Sequence, residues 1–157
     1  MTVRTINLKT MLPALLVPIA TGALSALISG SGMSTYGQIN RPPLSPPSWV
    51  FPVVWTVLYL MMGYAAYLIM SSKSYDKDAA LRAYYIQLGI NFLWPIVFFR
   101  LQMYTVAAFV LVALIAVVIV TALRFLKIDR KAGLLLLPYL AWLIFALYLN
   151  IGVAVLN

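Results

Sequence analysis

Residues 103–125, MYTVAAFVLVALIAVVIVTALRF, hold one charged side chain, Arg124, next to their end. A helix needs about 20 consecutive apolar residues to cross the hydrocarbon core of a bilayer, and this run meets that length. Its apolar residues follow one another without the alternation of a barrel strand. The stretch therefore predicts a membrane-spanning helix, a reading that sets the terms for the rest of the chain. Four comparable runs lie at 9–29, 48–70, 79–100 and 132–156. The three acidic residues, Asp76, Asp78 and Asp129, all fall between runs. The fold expected is an all-α integral membrane protein, one domain over 1–157 made of five transmembrane helices, with a long first loop at 30–47.

Composition agrees. Of the 157 residues, 64% are hydrophobic and 9% charged, with a mean hydropathy of +1.00. Ordinary soluble domains have about 45–50% apolar and about 25% charged residues. A soluble chain of this length could not hide so much apolar surface. A soluble enzyme, a disordered tail and a nucleic-acid-binding domain are excluded. The net charge of +8 comes in short clusters between apolar runs, the pattern that membrane insertion produces.

Those clusters predict orientation. Arg4, Lys9, Lys73, Lys77, Arg82, Arg124, Lys127, Arg130 and Lys131 fall on the side of the N-terminus and the second and fourth loops, whereas the other side holds only Arg41 and Arg100. The positive-inside rule then puts the N-terminus in the cytoplasm and the first loop outside. The first run could also be read as a cleaved signal peptide ending near Ala23-Leu24-Ser25-Ala26. Its length and its small residues, Ala20, Gly22 and Ala26, favour a retained helix packed closely on a neighbour. Pro13, Pro18, Pro95 and Pro138 fall inside runs and predict bends, Pro95 by freeing the carbonyl of Asn91. Ser45-Pro46-Pro47-Ser48 reads as a rigid, serine-capped entry to the second span, and Asp76 or Asp78 as the cap of the third.

Deep polar side chains are few: Gln87, Asn91 and Asn150. Gln87 and Asn91 stand four apart on one helix face, either lining a cavity or bridging helices; bridging is the preferred reading for Asn150. Trp49 fits the interfacial aromatic belt. Trp55, Trp94 and Trp142 lie deeper, with Tyr59, Phe98, Phe99, Tyr139 and Phe145 beside them. Several indoles with a pair of amides suggest a pocket for a flat apolar ligand, against the alternative of ordinary aromatic packing. The chain has neither His nor Cys, which removes the usual general base and the usual metal and haem ligands. No metal site and no resident cofactor are expected. With no carboxylate or histidine inside a span, proton-coupled antiport is not expected either.

The run Pro42-Pro43-Leu44-Ser45-Pro46-Pro47-Ser48-Trp49-Val50-Phe51-Pro52, followed by Trp55, Leu58-Tyr59 and Met62-Gly63, resembles the TspO/translocator protein family. These tryptophan-rich sensory proteins are related to the mitochondrial peripheral benzodiazepine receptor. Gln87-Leu88, Asn91-Phe92, Trp94 and Phe98-Phe99 continue the resemblance, as do Pro138-Tyr139-Leu140-Ala141-Trp142, Phe145-Ala146 and Leu149-Asn150. It covers nearly the whole chain. It implies a five-helix bundle, often a homodimer, with a pocket that opens toward the first loop and takes porphyrins, protoporphyrin IX above all, and benzodiazepine-site ligands. By matching motif, Trp55 and Trp142 are the pocket tryptophans, Asn91, Trp94 and Ala146 line it, and Tyr36 belongs to its lid. Gln87 and Tyr139 complete the expected ligand-binding set. A tetrapyrrole sensor or carrier is the leading expectation. The alternative is a light-dependent protoporphyrin-degrading enzyme with Trp55 or Trp142 as its catalytic groups. A cholesterol motif needs a Tyr followed by Lys or Arg, and no basic residue follows Tyr148. The short form without a transit segment points to a bacterial cell membrane.

Overall fold

The computed structural model describes residues 6–30 and 32–157; Arg4, one of the basic residues counted above, lies outside them. The described residues are helical wherever they are regular, in the order α1 Leu8–Ser29, α2 Gly32–Gln38, α3 Val50–Met70, α4 Lys77–Pro95, a π-helical turn Ile96–Arg100, α5 Tyr104–Ile128, α6 Arg130–Leu135 and α7 Leu137–Leu156. Among the described residues, four helical stretches are long and apolar enough to cross a membrane: Leu8–Ser29, Val50–Met70, Tyr104–Ile128 and the nearly continuous Arg130–Leu156. The chain is an integral membrane protein. α1 packs on α3 and α4, and α5 packs on α4 and α7.

Hydrogen bonds at the two ends show the helices running up and down in turn. At one end Asn7 N donates to the Tyr67 hydroxyl (3.1 Å), and Arg124 Nη1 to Ala79 O (2.8 Å). At the other, Arg100 Nη1 donates to Ile28 O (3.0 Å) and the Tyr148 hydroxyl to Pro43 O (2.7 Å). Lys9, Lys73, Lys77, Arg82, Arg124, Lys127, Arg130 and Lys131 therefore belong to the first end, and Arg41 and Arg100 to the second.

Two glycines set how closely α1 and α3 approach. A Cβ at Gly63 would fall 2.6 Å from Ala14 O and 2.8 Å from Leu15 Cα. A Cβ at Gly22 would fall 2.6 Å from Cζ of Tyr59. Of the small residues expected to bring α1 against a neighbour, Gly22 does so, receiving the Tyr59 ring, while Ala20 and Ala26 are exposed.

The prolines act unequally. Pro13 and Pro18 lie within α1. Pro138 lies inside the last span but in the first turn of α7, where the missing N–H costs nothing. The last run is two helices, α6 and α7, and Asp129 caps α6 by accepting from Lys131 N (2.9 Å) and Ala132 N (3.2 Å). Pro95 ends α4. Ile96 N turns to Leu93 O, the π turn follows, and Ser25 of α1 donates its hydroxyl to the Phe92 carbonyl (2.8 Å). The Phe92 carbonyl, passed over by Ile96 N, is thus met from a neighbouring helix.

Neither expected cap is made. Trp49, not Ser48, stands at the N-cap of α3, and Asp76 stands at that of α4 without a side-chain bond. The first loop contains α2 and is tied to the end of α7. Asn157 Nδ2 donates to Asn40 O (2.9 Å), Asn40 N donates to Asn157 Oδ1 (3.0 Å), and Pro42 packs where a Cβ on Gly152 would sit. Gly63→Leu should force α1 off α3. Overpacking of this kind costs about 1–3 kcal/mol, so a lower thermal unfolding midpoint in detergent is expected.

Candidate functional site

Because Tyr59 leans on Gly22, space opens beside it between α1 and α3. Trp55, one turn earlier on α3, stacks on Tyr59 with centroids 5.4 Å apart and turns its edge toward Tyr139 at 6.1 Å. The resulting cavity holds about 370 Å³, within the roughly 300–1,000 Å³ typical of ligand sites. α1 contributes Ile19, Gly22, Ala23, Ala26 and Ser29, and α3 contributes Phe51, Pro52, Trp55, Thr56 and Tyr59. Both sets step by three or four residues, so each is one helix face. Trp94, Pro95 and Phe99 close one side, where Pro95 ends α4. Gly30, Gly32, Tyr36 and Ser48 form the part nearest the first loop.

The wall is apolar in effect. Thr56 donates to Pro52 O and Ser29 to Ser25 O, both at 2.7 Å. Tyr36 is buried, donates its hydroxyl to Pro46 O (2.9 Å) and meets the Phe51 ring at 5.0 Å. The Arg41 guanidinium sits 4.7 Å above the Tyr36 ring. With Arg100 at the same end and the three Asp residues at or beyond the other, the loop side of the cavity is positive.

Next to the cavity lies a chain of buried polar side chains. The Tyr59 hydroxyl donates to Asn91 Oδ1 (3.0 Å), Asn91 Nδ2 to the Tyr139 oxygen (2.7 Å), and the Tyr139 hydroxyl to Gln87 Oε1 (2.8 Å). Gln87 Nε2 ends on Met62 Sδ at 3.7 Å. Asn150 bridges helices as well, accepting from Trp94 Nε1 (2.9 Å) and donating to Tyr104 O (2.7 Å).

Of the residues singled out from sequence, Tyr36, Trp55 and Trp94 line the cavity. Gln87, Asn91 and Tyr139 lie in the chain behind Tyr59, joined to the wall through that residue. Ala146 is buried on α7. Trp142 is outside the cavity wall; it meets Phe51 at 5.9 Å and Phe145 at 5.5 Å, and its Nε1–H has no hydrogen-bond partner among the described residues. The sequence does not mark this face of α1 as a cavity wall. Its signal in the sequence is the spacing of Gly22, Ala23 and Ala26, small residues that read equally well as helix packing. Among the described residues no His, Cys, Asp or Glu cluster could hold a metal ion.

A helical membrane protein with an aromatic cavity between its first two long helices is the class that this geometry defines. Residues 14–156 match the model of the TspO/MBR family, and the chain belongs to that family. It is 33% identical over 152 residues to the tryptophan-rich protein TspO of Archaeoglobus fulgidus, covering 96% of this chain and 99% of that one. It is 36% identical to the tryptophan-rich sensory protein of Cereibacter sphaeroides (94% and 89% covered) and 37% identical to the translocator protein of Ovis aries (86% and 82% covered).

Tyr139→Phe should leave the Asn91 amide and the Gln87 carbonyl without their shared partner. Interhelical hydrogen bonds in membranes contribute on the order of 0.6–2 kcal/mol each, so thermal unfolding in detergent should shift down by an amount matching one or two such bonds.

Proposed function

We propose that this protein binds protoporphyrin IX and similar flat hydrophobic molecules, benzodiazepine-site ligands among them, in the cavity between α1 and α3, and acts as a tetrapyrrole sensor or carrier. The observation that carries the reading is the Trp55–Tyr59 stack set into an otherwise apolar wall, a surface suited to a flat π-system. Family membership and the names translocator protein and tryptophan-rich sensory protein among the relatives support it. Tyr36 and the first loop cover the cavity, and Trp142 supports Phe51 from behind.

The chain crosses the membrane five times in this reading. α4 and its π turn form the fifth, less apolar than the others because α4 carries Lys77, Asp78 and Arg82 near its start and, further in, Gln87 and Asn91, which are turned inward to their partners. The eight described basic residues at one end support an N-terminus on the cytoplasmic side of a bacterial cell membrane. A homodimer is the proposed assembly.

A second reading, light-dependent degradation of bound protoporphyrin, draws support from the same stack. An indole in the cavity wall is oxidisable by an excited porphyrin without any His or carboxylate.

Titration of the purified protein with protoporphyrin IX in the dark should quench tryptophan fluorescence saturably, and Trp55→Ala should weaken binding about tenfold or more. Unchanged affinity in that variant contradicts the assignment. On illumination of the same sample, porphyrin bands that outlast those of a protein-free control support sensing or carriage. Faster loss supports degradation.

A further inference from the structure

The hydrogen-bond chain behind the cavity has a direction, and the direction is fixed at its far end. From Tyr59 to Asn91 to Tyr139 to Gln87, every proton is given the same way along the chain. Running it backwards would require both amides to turn over. Gln87 would then present Oε1 to Met62 Sδ, and a thioether has no proton to give. A buried carbonyl oxygen would lose its partner, which is costly in an apolar interior. Met62, fully buried at the end of the chain, therefore keeps the Gln87 NH₂ group turned toward its sulfur (3.7 Å). The sense of the other three bonds follows.

The consequence falls on the cavity wall. Tyr59 has one hydroxyl proton, and that proton is held by Asn91. What Tyr59 can show the cavity is an oxygen that accepts. That oxygen lies 2.9 Å from where a Cβ on the wall residue Gly22 would sit. Thr56, Ser29 and Tyr36 have also given their protons to backbone carbonyls, and Trp94 has given its own to Asn150. Trp55 keeps an indole N–H for an acceptor elsewhere on the ligand.

We infer that the cavity selects ligands bearing a hydrogen-bond donor, N–H or O–H, which Tyr59 Oη accepts, and that Gln87 and Met62 impose this preference from outside the wall as positioning residues. The inference rests on the α1–α3 cavity being the ligand site.

Carbazole and dibenzofuran test it, since they share a shape and differ in an N–H against a ring oxygen. Both are titrated into the full chain in lipid nanodiscs, with protein-free nanodiscs as the partition control. Carbazole should bind about tenfold more tightly, the effect of one hydrogen bond in a dry site. Tyr59→Phe should abolish the difference by weakening carbazole alone; unchanged dibenzofuran binding shows the cavity intact. Gln87→Leu lets Tyr139 turn its proton to Asn91, and Asn91 its amide N–H to Tyr59, which frees the Tyr59 proton. The ratio should then shrink severalfold, although residue 87 is not in the wall. Equal binding of the two probes to the unmodified chain, or a ratio that survives Tyr59→Phe, overturns the inference. Failure of both probes to bind overturns it too; saturable protoporphyrin quenching in the same preparation then leaves the pocket reading standing, and its absence removes that reading as well.

Discussion

The phenolic oxygen of Tyr139 accepts a proton from Asn91 and gives its own to Gln87, so that one atom on α7 is held by two side chains of α4. Tyr59 of α3 joins through Asn91. In a bilayer no water is at hand to satisfy a stray amide, and each buried polar group must find its partner inside the protein. Three helices that share such a chain cannot slide or rotate independently without breaking it. The chain thus fixes the register of α3, α4 and α7, and the positions of Tyr59 and Trp55 with it.

The cavity follows from what stands on the other side of Tyr59. Gly22 lets the ring approach α1 closely, Gly63 lets the backbones meet lower down at Ala14, and between these contacts the small residues Ala23 and Ala26 leave space. Pro95 closes it. Ending α4 there turns Phe99 toward the first loop, where a Cβ on Gly32 would lie 3.2 Å from its ring. The site is thus a gap between a rigid polar spine and a helix deprived of large side chains along one face.

Much of this was legible in the sequence and some was not. Continuous apolar runs such as 103–125 announced membrane helices, since few other environments tolerate them. Gln87 and Asn91 announced a shared face by spacing alone. Spacing could not say which partners that face would meet; in the event it meets Tyr139, Tyr59 and Met62, all on other helices. Residues 30–47 read as loop because Gly30, Gly32 and Gly37 mask the two-turn helix α2, whose Tyr36 is nevertheless buried. Pro138 looked internal to a helix only because the break at Leu136, between α6 and α7, leaves no mark on the hydropathy. Ser48 and Asp76 looked like caps, yet both helix starts are set by the preceding turns.

Membership of the TspO/MBR family and the aromatic wall make the α1–α3 cavity the centre of the functional account. The most direct test of it leaves every wall residue in place. With alanine methyls isotopically labelled, the NMR spectrum of the protein in nanodiscs is recorded with and without protoporphyrin IX, whose large ring current shifts nearby protons strongly. Binding in this cavity shifts the methyls of Ala23 and Ala26 and leaves those of Ala107 and Ala132, buried elsewhere in the bundle, close to their free positions. Shifts at Ala107 or Ala132 with Ala23 and Ala26 unmoved would contradict the account.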